Sequence, residues 1–175
     1  LQGYLYFHKA PNPEEAEEES LRLIKQLHLY DVLRADRCIS SHGLELRVPF
    51  LDRKMVDTAL ALPAAEKTPR YGIEKYILRK AFEGYLPEEI LWRKKEAFSD
   101  GVSSLKKSWY QSIQDYVDVI IPDYLFNPIF PSKEAMYYKM IFDNLFPTYD
   151  LKIDYWLPKW CGDVKDPSAR VLKVY

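Results

Sequence analysis

The recurrence of apolar residues at intervals of three and four, in segments separated by prolines and glycines, most constrains the fold of this 175-residue chain. The longest segment, 13–37, follows Asn12 and has Pro13 at its first position, a combination typical of a helix N-terminus. The same spacing occurs in four further segments: after the capping residue Asp52, after Gly72, over 102–121 and over 133–146. The pattern predicts a helix-dominated fold with few strands.

Two stretches near the N-terminus allow more specific interpretations. Residues 1–8, LQGYLYFH, are aromatic and apolar, and so short a run is compatible with either a buried strand or a loop. The helix predicted over 13–37 begins with a cluster of glutamates, where the helix dipole favours negative charge. We interpret this acidic run as a solvated face of the helix. Its members are Glu14, Glu15, Glu17, Glu18 and Glu19.

The composition excludes several classes of function. The formal net charge of −1 gives no electrostatic footprint for nucleic acid or an anionic membrane, and no apolar run approaches the roughly 18 residues of a membrane-spanning helix. Six scattered glycines leave no glycine-rich phosphate-binding loop. The two cysteines, Cys38 and Cys161, are far apart, which excludes a disulfide scaffold and a cysteine zinc site and fits a reducing compartment.

Two polar stretches carry residues that are compatible with catalysis. In GLELRVPFLD (43–52), Glu45 and Arg47 alternate, so they share one side of an extended segment as a structural ion pair or as part of a site. In WRKKEAFSDG (92–101), three adjacent cations follow a short predicted helix. They either compensate the helix dipole or face phosphate charge. The three histidines show no metal-ligand spacing, and no metal site is predicted.

Read as strings, several segments occur together in a fixed order: GYLYFHKAP (3–11), DVLRAD (31–36), HGLELRVPFLD (42–52), GIEKYILRKAF (72–82), LPEEILWRKKEAFSDG (86–101) and DPSAR (166–170). This set resembles the glutamine-hydrolysing asparagine synthetases of animal type. The resemblance is weakest over about 102–165. It implies that 1–175 is the C-terminal portion of the synthetase domain. The implied fold class is a mainly α-helical fragment of an α/β adenine-nucleotide α-hydrolase-like (ATP pyrophosphatase) domain.

The resemblance also implies a reaction. Family members are ATP-dependent ligases that convert aspartate to asparagine through an aspartyl-adenylate, using magnesium and ammonia released from glutamine by an N-terminal glutaminase domain. The implied partners are therefore small molecules, namely aspartate, ATP and ammonia, and neither nucleic acid nor a membrane. The cytosol is the expected location, and a homodimer of the full-length protein is an expectation that the resemblance leaves open.

Five residues match positions of the family's synthetase pocket. Lys95 in WRKKEAF matches the lysine that faces the nucleotide phosphates and the leaving pyrophosphate, and is the predicted catalytic residue. Tyr4 in GYLYFHKAP matches a tyrosine that lines the pocket. Arg34, Glu45 and Arg47 match positions beneath or beside the same pocket.

The family's S-G-G-x-D-S nucleotide loop, its S-G-E-G-S-D segment and its N-terminal cysteine do not occur in this sequence. We therefore expect a fragment, with ATP and magnesium bound mainly by residues outside it, and expect the isolated chain neither to hydrolyse glutamine nor to form an adenylate. Two alternatives remain open. One is an amide-forming ligase like the β-lactam synthetases, and the other is a non-catalytic helical interaction module derived from this domain.

Overall fold

A computed structural model describes residues 3–96, 101, 106–149, 159, 160 and 162. The chain forms two compact units, the first ending at Lys95 and the second beginning at Glu96. Within the described residues the regular structure is helical, and strand-like pairing consists of isolated bridges such as Arg70 with Ile73 and Glu83 with Leu86. The predicted helix-dominated architecture is confirmed.

The first unit contains six α-helices among its described residues. They are α1 (Pro13–Gln26), α2 (Asp31–Ser40), α3 (Arg53–Ala61), α4 (Ala64–Lys67), α5 (Tyr76–Ala81) and α6 (Glu88–Leu91), with 3-10 turns at Leu5–Lys9, Leu27–Leu29 and Pro49–Leu51. The predicted caps are confirmed, since Asn12 Oδ1 accepts from the Glu15 amide at 2.8 Å and Asp52 Oδ1 accepts from the Met55 amide at 3.2 Å. Both bonds satisfy amides that have no partner within the helix.

The single helix predicted over 13–37 is wrong, because the chain breaks between α1 and α2. The 3-10 turn Leu27–Leu29 follows α1, and Tyr30 then has φ −124° and ψ −103°, outside the helical region. The apolar spacing continues across this break, which is why the pattern predicted continuity. The break makes Asp31 the first residue of α2, where the helix dipole favours its negative charge.

The interpretation of the acidic run as a solvated face is wrong for Glu19. Its side chain is fully buried, and it accepts hydrogen bonds from the Tyr6 hydroxyl at 3.0 Å and from the Arg22 guanidinium at 2.7 Å. Glu19 lies one turn after the buried Ala16, on the inward face of α1. Glu17 is also partly covered, because it pairs with the buried Lys67 of α4 at 2.6 Å.

The N-terminal stretch is neither a strand nor an open loop. Residues Leu5–Lys9 form a 3-10 helix whose first three side chains are buried, and the Tyr6 and Phe7 rings stack with centroids 4.9 Å apart. The helix expected after Gly72 begins only at Tyr76. Before it, Arg70 and Ile73 exchange backbone hydrogen bonds of 3.0 and 2.8 Å across a tight turn, in which Gly72 adopts φ +72°. That left-handed conformation suits glycine.

The second unit contains two long helices among its described residues, α7 (Trp109–Ile120) and α8 (Lys133–Leu145), with a 3-10 turn at Asp123–Leu125 between them. The helix predicted over 102–121 begins at Trp109, where Ser108 and Gln111 form a capping box. Residues 102–105 lie outside the described residues, as do most of the tail and Cys161. No described helix has the length and hydropathy needed to cross a bilayer.

Candidate functional site

Tyr4 and Lys95, which the sequence places at the two ends of the first unit, line one cavity. Its volume is about 280 Å³, close to the lower end of the roughly 300–1,000 Å³ typical of small-molecule sites. The rest of the wall is mainly apolar and comes from α1 and the N-terminal 3-10 helix, with Phe7, Leu23 and Ile24 among the lining residues. A tyrosine and a lysine thus share the lining of one small pocket with a mainly apolar wall.

A carboxylate links Tyr4 to Arg34. The Tyr4 hydroxyl donates a short hydrogen bond to Oδ2 of Asp31, and Arg34 Nη2 donates to Oδ1 of the same residue at 2.9 Å. Burial, followed by the bond to Asp31, raises the pKa of Tyr4 well above its ordinary value of 10.0. Tyr4 therefore stays protonated at neutral pH and acts as a donor rather than a base.

Asp31 is the residue that the sequence analysis missed at this site. Its only sequence signal is the i, i+3 spacing to Arg34, which places opposite charges on one helix face. The break at Tyr30, which brings Asp31 to the start of α2, could not be read from the apolar pattern. Four parts of the first unit therefore contribute: the N-terminal segment, α1, α2 and the chain after α6.

Glu45 and Arg47 lie away from this cavity. Their side chains form an ion pair of 2.9 Å and are 73% and 82% exposed, respectively, in the irregular segment before the 3-10 turn Pro49–Leu51. The predicted pairing is confirmed. Neither residue lines the Tyr4 and Lys95 cavity, so their assignment to the pocket stays a prediction.

A second cavity, of about 310 Å³, borders the chain after α6. Five cations line it, and they share the wall with apolar side chains such as Phe50, Leu78 and Leu91. Lys95 lines both cavities, while its own side chain is only half-buried. Clustered cations raise the local concentration of anions, and arginine and lysine side chains bind phosphate and carboxylate groups. The cations are Lys75, Arg79, Arg93, Lys94 and Lys95.

A metal site built from the chain alone needs several donor side chains close together. Among residues 3–96 and the described residues beyond them, no three or more histidine, cysteine, aspartate or glutamate side chains are grouped so that they could hold a metal ion. Magnesium that binds together with a nucleotide needs only one or two protein carboxylates besides phosphate oxygens and water.

Comparison with known proteins identifies the family. The family model described as Asparagine synthase matches residues 5–161. The chain belongs to the asparagine synthase family. Relatives named as glutamine-hydrolyzing asparagine synthetase cover 99% of this chain and include those of Gallus gallus, Cricetulus griseus and Homo sapiens, at 54%, 52% and 50% identity. The chain spans about a third of the length of these asparagine synthase relatives, 33% in each case.

Proposed function

We propose that this chain is part of an ATP-dependent ligase that converts aspartate to asparagine through an aspartyl-adenylate, with ammonia supplied by glutamine hydrolysis. The observation that carries the proposal is the meeting of Tyr4 and Lys95 at one cavity. The asparagine synthase match over residues 5–161 and the names of the relatives support the same reaction. The proposal includes the α/β adenine-nucleotide α-hydrolase-like fold for the whole synthetase domain.

The proposed role of Lys95 follows from the charge that develops during adenylation. When the aspartate side-chain carboxylate attacks the α-phosphorus of ATP, negative charge moves onto the departing pyrophosphate. A cation held at that position stabilises the transition state more than the ground state. Lys95 supplies such a cation in the lining of this cavity and of the second cavity, which four other cations also line.

Tyr4, Asp31 and Arg34 form the other half of the proposed site. Because Asp31 accepts from both neighbours, it fixes the Tyr4 hydroxyl and the Arg34 guanidinium in one arrangement. The Arg34 side chain is largely exposed, so its remaining donors are available to an anionic substrate group. We propose that this arrangement orients a substrate carboxylate next to Lys95, which reduces the charge repulsion between two anions.

The proposal also covers the cofactor, the location and the assembly of the full-length protein. ATP is the proposed substrate, and magnesium supplies Lewis-acid neutralisation of its phosphates when bound. Cytosolic location follows the reducing compartment suggested by two widely separated cysteines. A homodimer of the full-length protein remains part of the proposal, on the resemblance alone.

The reaction is tested in a full-length protein that carries this sequence. Aspartate labelled with ¹⁸O in its side-chain carboxylate is supplied with ATP, magnesium and ammonium. Adenylation followed by attack of ammonia forms the amide C–N bond and leaves one labelled oxygen in AMP, with unlabelled pyrophosphate as the other product. We expect asparagine, pyrophosphate and labelled AMP in equal amounts. Formation of ADP and phosphate, or cyclisation of another substrate without asparagine, would overturn the proposal.

The assignment of Lys95 has its own test in the same protein. We expect Lys95→Ala to lower kcat for pyrophosphate release about 100- to 1,000-fold, the usual cost of removing one preorganised transition-state contact. The matched control is Lys25→Ala, an exposed lysine at the end of α1. Unchanged pyrophosphate release by Lys95→Ala at saturating ATP would remove Lys95 from the catalytic residues.

A further inference from the structure

Arg79 connects α5 to the segment that carries Lys95. Its Nη1 donates to the carbonyl oxygens of Leu91 at 2.7 Å and of Arg93 at 2.8 Å. These two carbonyls lie at the end of α6 and just beyond it, where helix carbonyls lose their intrahelical partners. Residues 93–96 belong to neither a helix nor a strand, so side-chain contacts of this kind fix their position.

A buried carboxylate holds Arg79 itself. Glu74 is 1% exposed, and its Oε1 accepts from Arg79 Nη2 at 2.6 Å, while its backbone carbonyl accepts from Arg79 Nε at 3.1 Å. The guanidinium is therefore bonded on all three nitrogens and is nearly enclosed. Because the guanidinium is planar and its donors have fixed directions, its position determines the positions of the carbonyl oxygens that accept from it.

The same carboxylate reaches the segment that carries Tyr4. Glu74 Oε2 lies 3.6 Å from His8 Nε2, and His8 belongs to the 3-10 helix that directly follows Tyr4. One buried group thus faces both the N-terminal segment and, through Arg79, the chain that leads to Lys95. These are the two segments that meet at the proposed site.

We propose that Arg79, held by Glu74, is a positioning residue for Lys95. It acts through the backbone carbonyls of Leu91 and Arg93 and sets where the Lys95 ammonium stands relative to Tyr4. The inference rests on the proposed function, since it assigns Arg79 a role only through Lys95. Lysine cannot replace arginine here, because one ammonium cannot reach both carbonyls and the Glu74 carboxylate with a fixed fork.

The test is a double-mutant cycle in a full-length protein, with kcat for pyrophosphate release and the unfolding temperature as readouts. We expect Arg79→Lys alone to lower kcat about tenfold or more, since a displacement of about 1 Å can cost roughly 100-fold. In the Lys95→Ala background, the same change should alter kcat by less than about threefold, because the residue through which it acts is already gone. The unfolding temperature should fall equally in both backgrounds.

Arg70→Lys is the matched control, because Arg70 pairs with the partly exposed Glu66 and bonds a carbonyl outside the Lys95 segment. It should leave kcat unchanged. If Arg79→Lys does not fold, Glu74→Gln replaces it in the cycle, with the same non-additivity expected. If Arg79→Lys lowers kcat by the same factor in the Lys95→Ala background as in the wild type, the role of Arg79 is merely structural. That result would overturn this inference. Unchanged kcat in Lys95→Ala alone would instead overturn the proposed role of Lys95, and the positioning role with it.

Discussion

The first unit encloses several charged side chains, whereas the charged side chains described in the second unit lie mainly at the surface. In the first unit, the side chains of Glu19, Glu74 and Lys67 are almost completely buried. Each of them bonds a side chain that belongs to another element or turn of the same unit. In the described part of the second unit, the pairs run along or between α7 and α8, and Lys133 bonds Asp118 and the 97% exposed Asp123.

This difference shows that the charged side chains of the two units have different structural roles. Burying a charged group costs several kcal/mol of desolvation free energy. That cost is roughly offset only when the group is paired with an opposite charge and all its hydrogen bonds are made. Such groups hold segments that are distant in sequence in one arrangement. A site assembled from the N-terminal segment, α1, α2 and the chain after α6 requires such an arrangement. The second unit instead depends on caps and on contacts such as the Gln114 to Glu134 bond of 2.7 Å between α7 and α8.

The largest predicted effect on stability is at Glu74. We expect Glu74→Ala to lower the free energy of unfolding by about 3–5 kcal/mol, because it leaves the enclosed Arg79 charge without its carboxylate. Urea denaturation, with hydrogen exchange to locate the effect in the first unit, measures the change. Glu66→Ala is the control, since its pair with Arg70 is more exposed. Equal losses in the two variants would contradict the distinction between buried and exposed charges.

Tyr6 gives a smaller effect within the same unit. We expect Tyr6→Phe to cost about 1.5–3 kcal/mol, because it removes a hydroxyl that donates to the buried Glu19 carboxylate. Tyr138→Phe, which changes a half-exposed tyrosine of α8, is the matched control for removal of a hydroxyl. If both variants have the same urea midpoint as the wild type, the Glu19 carboxylate is satisfied without Tyr6.

Tyr6 should also make the stability of the protein depend on pH. Burial, followed by the charge of Glu19, raises the pKa of Tyr6 above its ordinary value of 10.0. The folded state therefore keeps its proton where the unfolded state loses it, so stability is complete below about pH 10 and falls as pH rises further. The slope is at most about 1.4 kcal/mol per pH unit for one such group. Denaturation series from pH 8 to 11 should show a shallower decline for Tyr6→Phe than for the wild type.

Ser108 tests the caps of the second unit. Its side chain accepts from the Gln111 amide at 3.1 Å, and the Gln111 side chain accepts from the Ser108 amide at 3.3 Å. We expect Ser108→Ala to cost about 1 kcal/mol, the usual value for an N-cap. Hydrogen exchange should show the loss at the first turn of α7. Protection there that matches the wild type would show that the capping box contributes nothing.

Asp123 should give the smallest effect. Lys133 lowers the pKa of this carboxyl through a direct hydrogen bond, so any contribution is present above the ordinary aspartate pKa and is lost as pH falls through the lowered value. Because Asp123 is exposed, water and salt screen the pair. We expect Asp123→Asn to leave the urea midpoint unchanged at neutral pH. A shift as large as that of Glu74→Ala would invert the comparison between the units.

The local signals in the sequence predicted local structure well. The sequence predicts Asn12 and Asp52 as caps because a polar residue before an apolar repeat satisfies the first helix amides, and the structure confirms both. The break at Tyr30 and the burial of Glu19 could not be read in this way. Asp31, which follows the break, bonds Tyr4, and Glu19 bonds Tyr6; both partners come from another segment, and sequence spacing carries no information on such contacts.

The candidate site shows the same division. Composition and spacing do not distinguish Lys95 from the two cations next to it. Only the resemblance to a family identifies Lys95 and Tyr4 as candidate site residues. Asp31 and Arg79 were missed, because one joins the site through a helix break and the other through backbone carbonyls. Glu45 and Arg47 were correctly predicted as a pair, while alternation in an extended segment could not say which cavity they would face.

Protection of lysines by ATP tests the central claim most directly. A full-length protein that carries this sequence is treated briefly with an amine-reactive acylating reagent, with and without ATP and magnesium, and labelling of each lysine is measured by mass spectrometry. If Lys95 faces the phosphates, ATP should protect it from acylation, while the exposed Lys25 of α1 is labelled equally in both samples. Equal labelling of Lys95 with and without saturating ATP would contradict the account.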